Sequence, residues 1–134
     1  MQILLLGAGT VTSRLNMTLS EQGHSIVAQM ATVIPAHLDL FDFRGIVAVA
    51  PECTVSTETL VKAAESGKMI FIIAGTADGL AAWANGVGVS AFAFPPSDVD
   101  ITKLLEEIRR ADAGGTDADE QYRRTVLGLS LIHI

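Results

Sequence analysis

Ile3-Leu4-Leu5-Leu6-Gly7-Ala8-Gly9 is an unbroken aliphatic run that stops in a glycine-rich turn. With no polar residue alternating through it, the run predicts a strand covered on both faces, the way strands of a parallel sheet read. A helix should follow, capped by Thr12 or Ser13 and reaching about Gln22, with Leu15 and Leu19 on one face and Gly23 closing it. Outward from this unit the same alternation repeats. Residues 25–29, 45–50, 69–73 and 90–94 read as further short strands. Helices are expected over about 56–66, from Asp78 through Ala84, and from Ser97 or Asp98 to about Ala111. The last carries Ile101, Leu104, Leu105 and Ile108 at the i, i+3, i+4, i+7 spacing of a packed face. Residues 30–44 are irregular: Pro35 breaks the pattern, and residues 36–41 read as a short helix or an ordered loop. Strict strand–helix alternation predicts an α/β fold: three layers around a doubly wound, parallel, five-stranded sheet. Its functional rim lies at the carboxyl ends of the strands.

Composition narrows the function. The chain has 134 residues, enough for one domain, and its hydrophobic content of 49% suffices for a sizeable core. With aromatics at 5%, that core is mostly aliphatic. A formal net charge of −6 argues against a nucleic-acid surface, which needs clustered Lys and Arg. The single cysteine, Cys53, excludes an internal disulfide and suits a reducing compartment. No apolar run is long enough for a membrane span, and the opening residues lack a basic signal-peptide start. A cytoplasmic location is expected.

The later strands carry a family resemblance. Gly88-Val89-Ser90-Ala91-Phe92-Ala93-Phe94-Pro95-Pro96 resembles the fifth-strand run of response-regulator receiver domains, with Gly88, Phe92, Ala93 and Pro96 in register. Met69-Ile70-Phe71-Ile72-Ile73-Ala74-Gly75 resembles their fourth strand. The likeness spans about residues 1–111 and implies a flavodoxin/CheY-like sheet of order 2-1-3-4-5. It also implies where phosphoryl chemistry would stand. The paired acids that hold Mg²⁺ in receivers are Gly7 and Ala8 here, and the phosphoacceptor aspartate is Ala50. The sensing hydroxyl is Ala74 and the lysine is Pro95. None of these side chains can ligate a cation or take a phosphoryl group. The resemblance therefore implies a degenerate, non-phosphorylatable receiver, no enzyme in itself and with no cofactor. Receivers commonly meet partners through the face that would contain Trp83, Phe92, Phe94 and the last helix here. Glu52 stands two residues past the acceptor position; it reads as a fixed negative charge or, more plainly, as a solvated loop acid.

An alternative reading starts from Gly7, Gly9 and Thr10. A strand, a glycine turn and a helix resemble the opening of NAD(P)-binding Rossmann domains of oxidoreductases. The third glycine of that motif is Thr12, however, and the second strand ends Ala28-Gln29-Met30 without the acid that binds ribose. Cys53 lacks a cationic neighbour in sequence to activate it, and the histidines show no metal-ligand spacing.

Residues 112–128 have a linker's composition. Residues 129–134, Leu-Ser-Leu-Ile-His-Ile, resemble a translated sequencing adaptor and are set aside as a non-native tail. The expectation is a regulatory or docking module of a longer chain, of the kind found ahead of MinD/ParA-type P-loop ATPases. Its partner would be another protein or its own downstream domain, with a homodimer left open.

Overall fold

The computed structural model describes residues 1–113. The linker and tail expected beyond that point lie outside the described residues. Five parallel strands form the sheet: β1 (Gln2–Leu6), β2 (Ser25–Met30), β3 (Gly45–Val49), β4 (Met69–Ile73) and β5 (Ala91–Phe92). Their spatial order is β2-β1-β3-β4-β5. This is the doubly wound, flavodoxin-like order, with its direction of winding reversing between β1 and β3.

Alternate residues of each strand enter opposite cores. Leu4, Leu6, Ile46, Ala48, Ile70 and Ile72 face one cluster. There α2 (Thr57–Glu65) contributes Leu60, Ala63 and Ala64, and α3 (Gly79–Val87) contributes Leu80, Ala84 and Val87. Ile3, Leu5, Val47, Val49, Phe71 and Ile73 face the other. That layer is completed by Leu15 and Leu19 of α1 (Thr10–Glu21) and by Ile101, Leu104 and Ile108 of α4, residues 98–113. Every residue of β3 and β4 is buried, which explains their purely apolar composition.

Local chemistry sets the helix ends. Ser56 caps α2 by accepting from Thr59 N, and Asp78 caps α3 by accepting from Leu80 N. Gly88, at φ 77°, ends α3 in the left-handed conformation that glycine tolerates. At the other end of the sheet, Arg44 Nη2 donates to Ala111 O at 3.3 Å, and its Nη1 lies 3.7 Å from Asp112. These contacts hold the last described turn of α4, which runs through Ala113.

Two segments take definite form here, the first within what the sequence left open and the second shorter than expected. Residues 30–44 contain a 3₁₀ turn, Pro35–Asp39, and a short bridge in which Thr32–Val33 pairs parallel with Thr54–Val55. The fifth strand is only Ala91–Phe92, because the ladder with β4 runs through Ile72↔Ala91 and Ile73↔Phe92 alone. Pro95 and Pro96, lacking N–H donors, could not extend it.

Candidate functional site at the carboxyl edge

The winding of the sheet places the switch point between the ends of β1 and β3, where doubly wound folds open their ligand crevice. β1 ends at Leu6, so Gly7 and Ala8 follow directly; Ala50 follows β3, Ala74 follows β4, and Pro95 comes shortly after β5. The positions matched to receiver chemistry are thus all carried at strand ends along one edge. Ala50 and Ala74 are buried, and their amides donate to Ile73 O at 2.8 Å and to Phe92 O at 2.9 Å. Ala8 and Pro95 are exposed. No side chain in this set supplies an acid, a base, a hydroxyl or an amine.

Glu52 occupies the crevice. The N-cap of α1 is Gly9, extended at φ −162°, with no side chain to offer the first-turn amides. Those amides need acceptors from elsewhere, and Glu52 supplies them from the loop after β3. Val11 N donates to its Oε2 at 3.2 Å, Thr12 N to its Oε1 at 2.8 Å, and Thr12 Oγ1 to Oε1 at 2.7 Å. The backbone joins in, with Ala8 N donating to Glu52 O at 2.9 Å. Burial works against the charge of Glu52, but the hydrogen bonds from the Thr12 hydroxyl and from the Thr12 and Val11 amides outweigh it. Its carboxyl is held below the ordinary value of 4.5.

The glycines fit this arrangement. A Cβ on Gly9 would sit 2.7 Å from both Glu52 oxygens. Gly7 has φ +154°, and a Cβ there would meet the Thr12 side chain, with the Thr12 Cβ only 3.0 Å away. Thr12, which stands where a dinucleotide fold has its third glycine, is fully buried. Beside it, Gly7 N donates to Met30 O at 2.8 Å and Thr54 N to Ala31 O at 2.7 Å, so the chain leaving β2 is stitched to the same edge. Thr10, the other residue of the dinucleotide reading, is exposed at the start of α1.

Glu52 as a solvated loop acid does not survive. The signal that could have found its role was the missing cap: a helix opening on glycine leaves amides that some distant acceptor must satisfy. Cys53, its neighbour, packs partly buried against the α2/α3 core. Burial, reinforced by the negative charges of Asp78 and Glu52, pushes its thiol up to about 11 despite a backbone hydrogen bond from Val49. It is a protonated thiol and a poor nucleophile.

The expected contact face is not one surface. Phe92 is 8% exposed within the α1/α4 core and Phe94 packs partly buried against that core, whereas Trp83 lies partly buried against the α2/α3 core on the other side of the sheet. What does reach the surface near the sheet edge is small and neutral. Residues 79–97 contain no charged side chain and no histidine. Within that stretch Ala82, Asn85, Ala91, Ala93 and Pro95 are exposed.

A groove of about 430 Å³ lies between the α1–β2 turn and α4, lined among others by Gln22, His24, Leu105, Glu106 and Arg109. It shares no residue with the strand-end positions. Among the described residues, no group of three or more His, Cys, Asp or Glu is placed to hold a metal ion, and no helix is long and apolar enough to cross a membrane. No family model, curated protein or solved structure matches this chain.

Proposed function

We propose that this chain is a receiver-like module that performs no phosphoryl transfer and acts by contact with a protein partner, either a separate protein or a further domain of its own chain. The observation that carries the reading is the Glu52 carboxylate on the α1 amides, at the switch point where a flavodoxin-like fold would take its ligand. The apolar and glycine residues at the strand ends support it from the chemical side, since aspartyl phosphate cannot form without a carboxylate acceptor. NAD(P) binding through Gly7, Gly9 and Thr10 would need the same amides for pyrophosphate, and two of them hold Glu52.

The contact surface that fits is the α3–β5 edge. Residues 79–97, which build it, carry no charged side chain in a chain of net charge −6, although Glu107 reaches Ser90 Oγ and Asp78 caps α3 beside them; it offers Trp83 as a half-buried aromatic anchor, a residue type enriched where interfaces concentrate their energy. The test is direct. Acetyl phosphate with Mg²⁺ should leave the intact mass unchanged, and titration with NAD(H) or NADP(H) should leave Trp83 fluorescence without a saturable micromolar response. Stable phosphorylation would overturn the reading, and cofactor saturation would replace it with the dehydrogenase class.

A further inference from the structure

We propose that Glu52 is an intramolecular ligand: its carboxylate takes the place of an external anion on the α1 amides and straps the β3–α2 loop onto the β1–α1 turn, fixing the carboxyl edge in one closed arrangement. The inference concerns the conformation of the edge and stands whether or not the α3–β5 surface is a docking face.

Separate contacts converge on it. Both carboxylate oxygens are used, Oε2 by Val11 N and Oε1 by Thr12 N and Thr12 Oγ1, so a single-oxygen acceptor would not reproduce the arrangement. The backbone of the same residue accepts from Ala8 N, which fixes the strap at its root as well as its tip. Thr12 is fully buried, so its hydroxyl is held toward the strap rather than toward solvent. Gly9 is the only residue type that leaves room for the carboxylate. A glycine-rich turn after the first strand ordinarily lets backbone approach a bound phosphate. Here the group approached belongs to the chain itself. Just past Glu52, the Thr32–Val33 and Thr54–Val55 bridge ties the chain after β2 into the same closure.

Amide hydrogen exchange read residue by residue tests this on Glu52→Ala, Glu52→Gln and the unchanged chain, with added acetate as a probe for the missing carboxylate. In Glu52→Ala, exchange at Val11 and Thr12 should accelerate at least about tenfold beyond whatever acceleration the amides of β3 and β4 show from the loss of global stability, the effect of losing a hydrogen bond to a charged acceptor. Acetate at high concentration should restore part of the protection at Val11 and Thr12, and sodium chloride at equal ionic strength should not. In Glu52→Gln, the amide group presents one oxygen and one NH₂, so Thr12 should stay protected while Val11 is lost. Unchanged exchange at both amides in Glu52→Ala would overturn the proposal. So would an acceleration at Val11 and Thr12 no greater than that of β3 and β4, which would make Glu52 a general stabiliser instead of a local strap. Equal protection of both amides in Glu52→Gln would also overturn it, because a two-oxygen anion would then not be required.

Discussion

Gly9→Ala should be markedly more destabilising while Glu52 is present than when it is removed. At φ −162° and ψ −171° the backbone of Gly9 is extended, so the substitution meets no left-handed strain. The obstacle is the carboxylate, with both oxygens 2.7 Å from where the methyl would stand. The carboxyl carbon is closer still, so to reach ordinary contact near 3.4 Å the Glu52 head must retreat by roughly 1 Å, and its bond to Val11 N is already 3.2 Å long. The substitution therefore strips α1 of its cap, a loss of about 1–2 kcal/mol. Against this, alanine restricts the unfolded chain and returns about 0.4–1 kcal/mol. The net cost is about 0–1.6 kcal/mol. In a Glu52→Ala background the obstacle is gone, the preference of an N-cap for glycine over alanine is set against the gain in the unfolded chain, and Gly9→Ala should be close to neutral. A double-mutant cycle by urea unfolding reads both values, with a coupling of about 1–2 kcal/mol. The same cost with and without Glu52 would refute the reasoning.

Gly7→Ala should cost more than Gly9→Ala and should not be relieved by Glu52→Ala, since the side chain in its way is the buried Thr12 on a helix, and φ is +154°; thermal melts of the single and double variants check this. The stability difference between the unchanged chain and Glu52→Gln should depend on pH. The folded carboxyl lies below 4.5, so the unfolded chain takes up its proton first; the contribution of Glu52 is complete above that value and is lost as pH falls through the folded pKa. A difference that grows on acidification would contradict the assignment. Cys53, with its thiol pushed up to about 11, should react with a disulfide reagent at pH 7.5 far more slowly than a small-molecule thiol, and rapid stoichiometric labelling would show that its burial is wrongly described. Ile72→Ala, in the middle of a wholly buried strand, should cost about 2–5 kcal/mol in denaturant unfolding.

Periodicity made the sheet legible. The runs at residues 3–6, 45–49 and 69–73 are apolar without a break because both faces of those strands are covered, and no other element needs that composition. Ser56 and Asp78 announced their helix starts because a cap is a local contact, whereas α3 runs past the expected Ala84 to its glycine cap at Gly88. The strand at Ala91 was overestimated because Ser90 to Phe94 has strand-like composition, whereas its length is set by how far β4 runs beside it. Glu52 was missed for a related reason. Its partners are Val11 and Thr12, some forty positions upstream, and nothing in Pro51-Glu52-Cys53 shows that the carboxylate has a helix to reach. The residue types at the strand ends could be read from the sequence alone; the carboxylate that reaches them required the third dimension.

The strap also has a mechanical meaning. α1 belongs to one helical layer and the loop carrying Glu52 leads into α2, which belongs to the other. The carboxylate thus reaches around the end of the sheet like a staple through a folded sheaf. Sliding one layer against the other must either tear this staple or turn about it as a pivot, so any rocking of the helices is carried by the far end of the molecule.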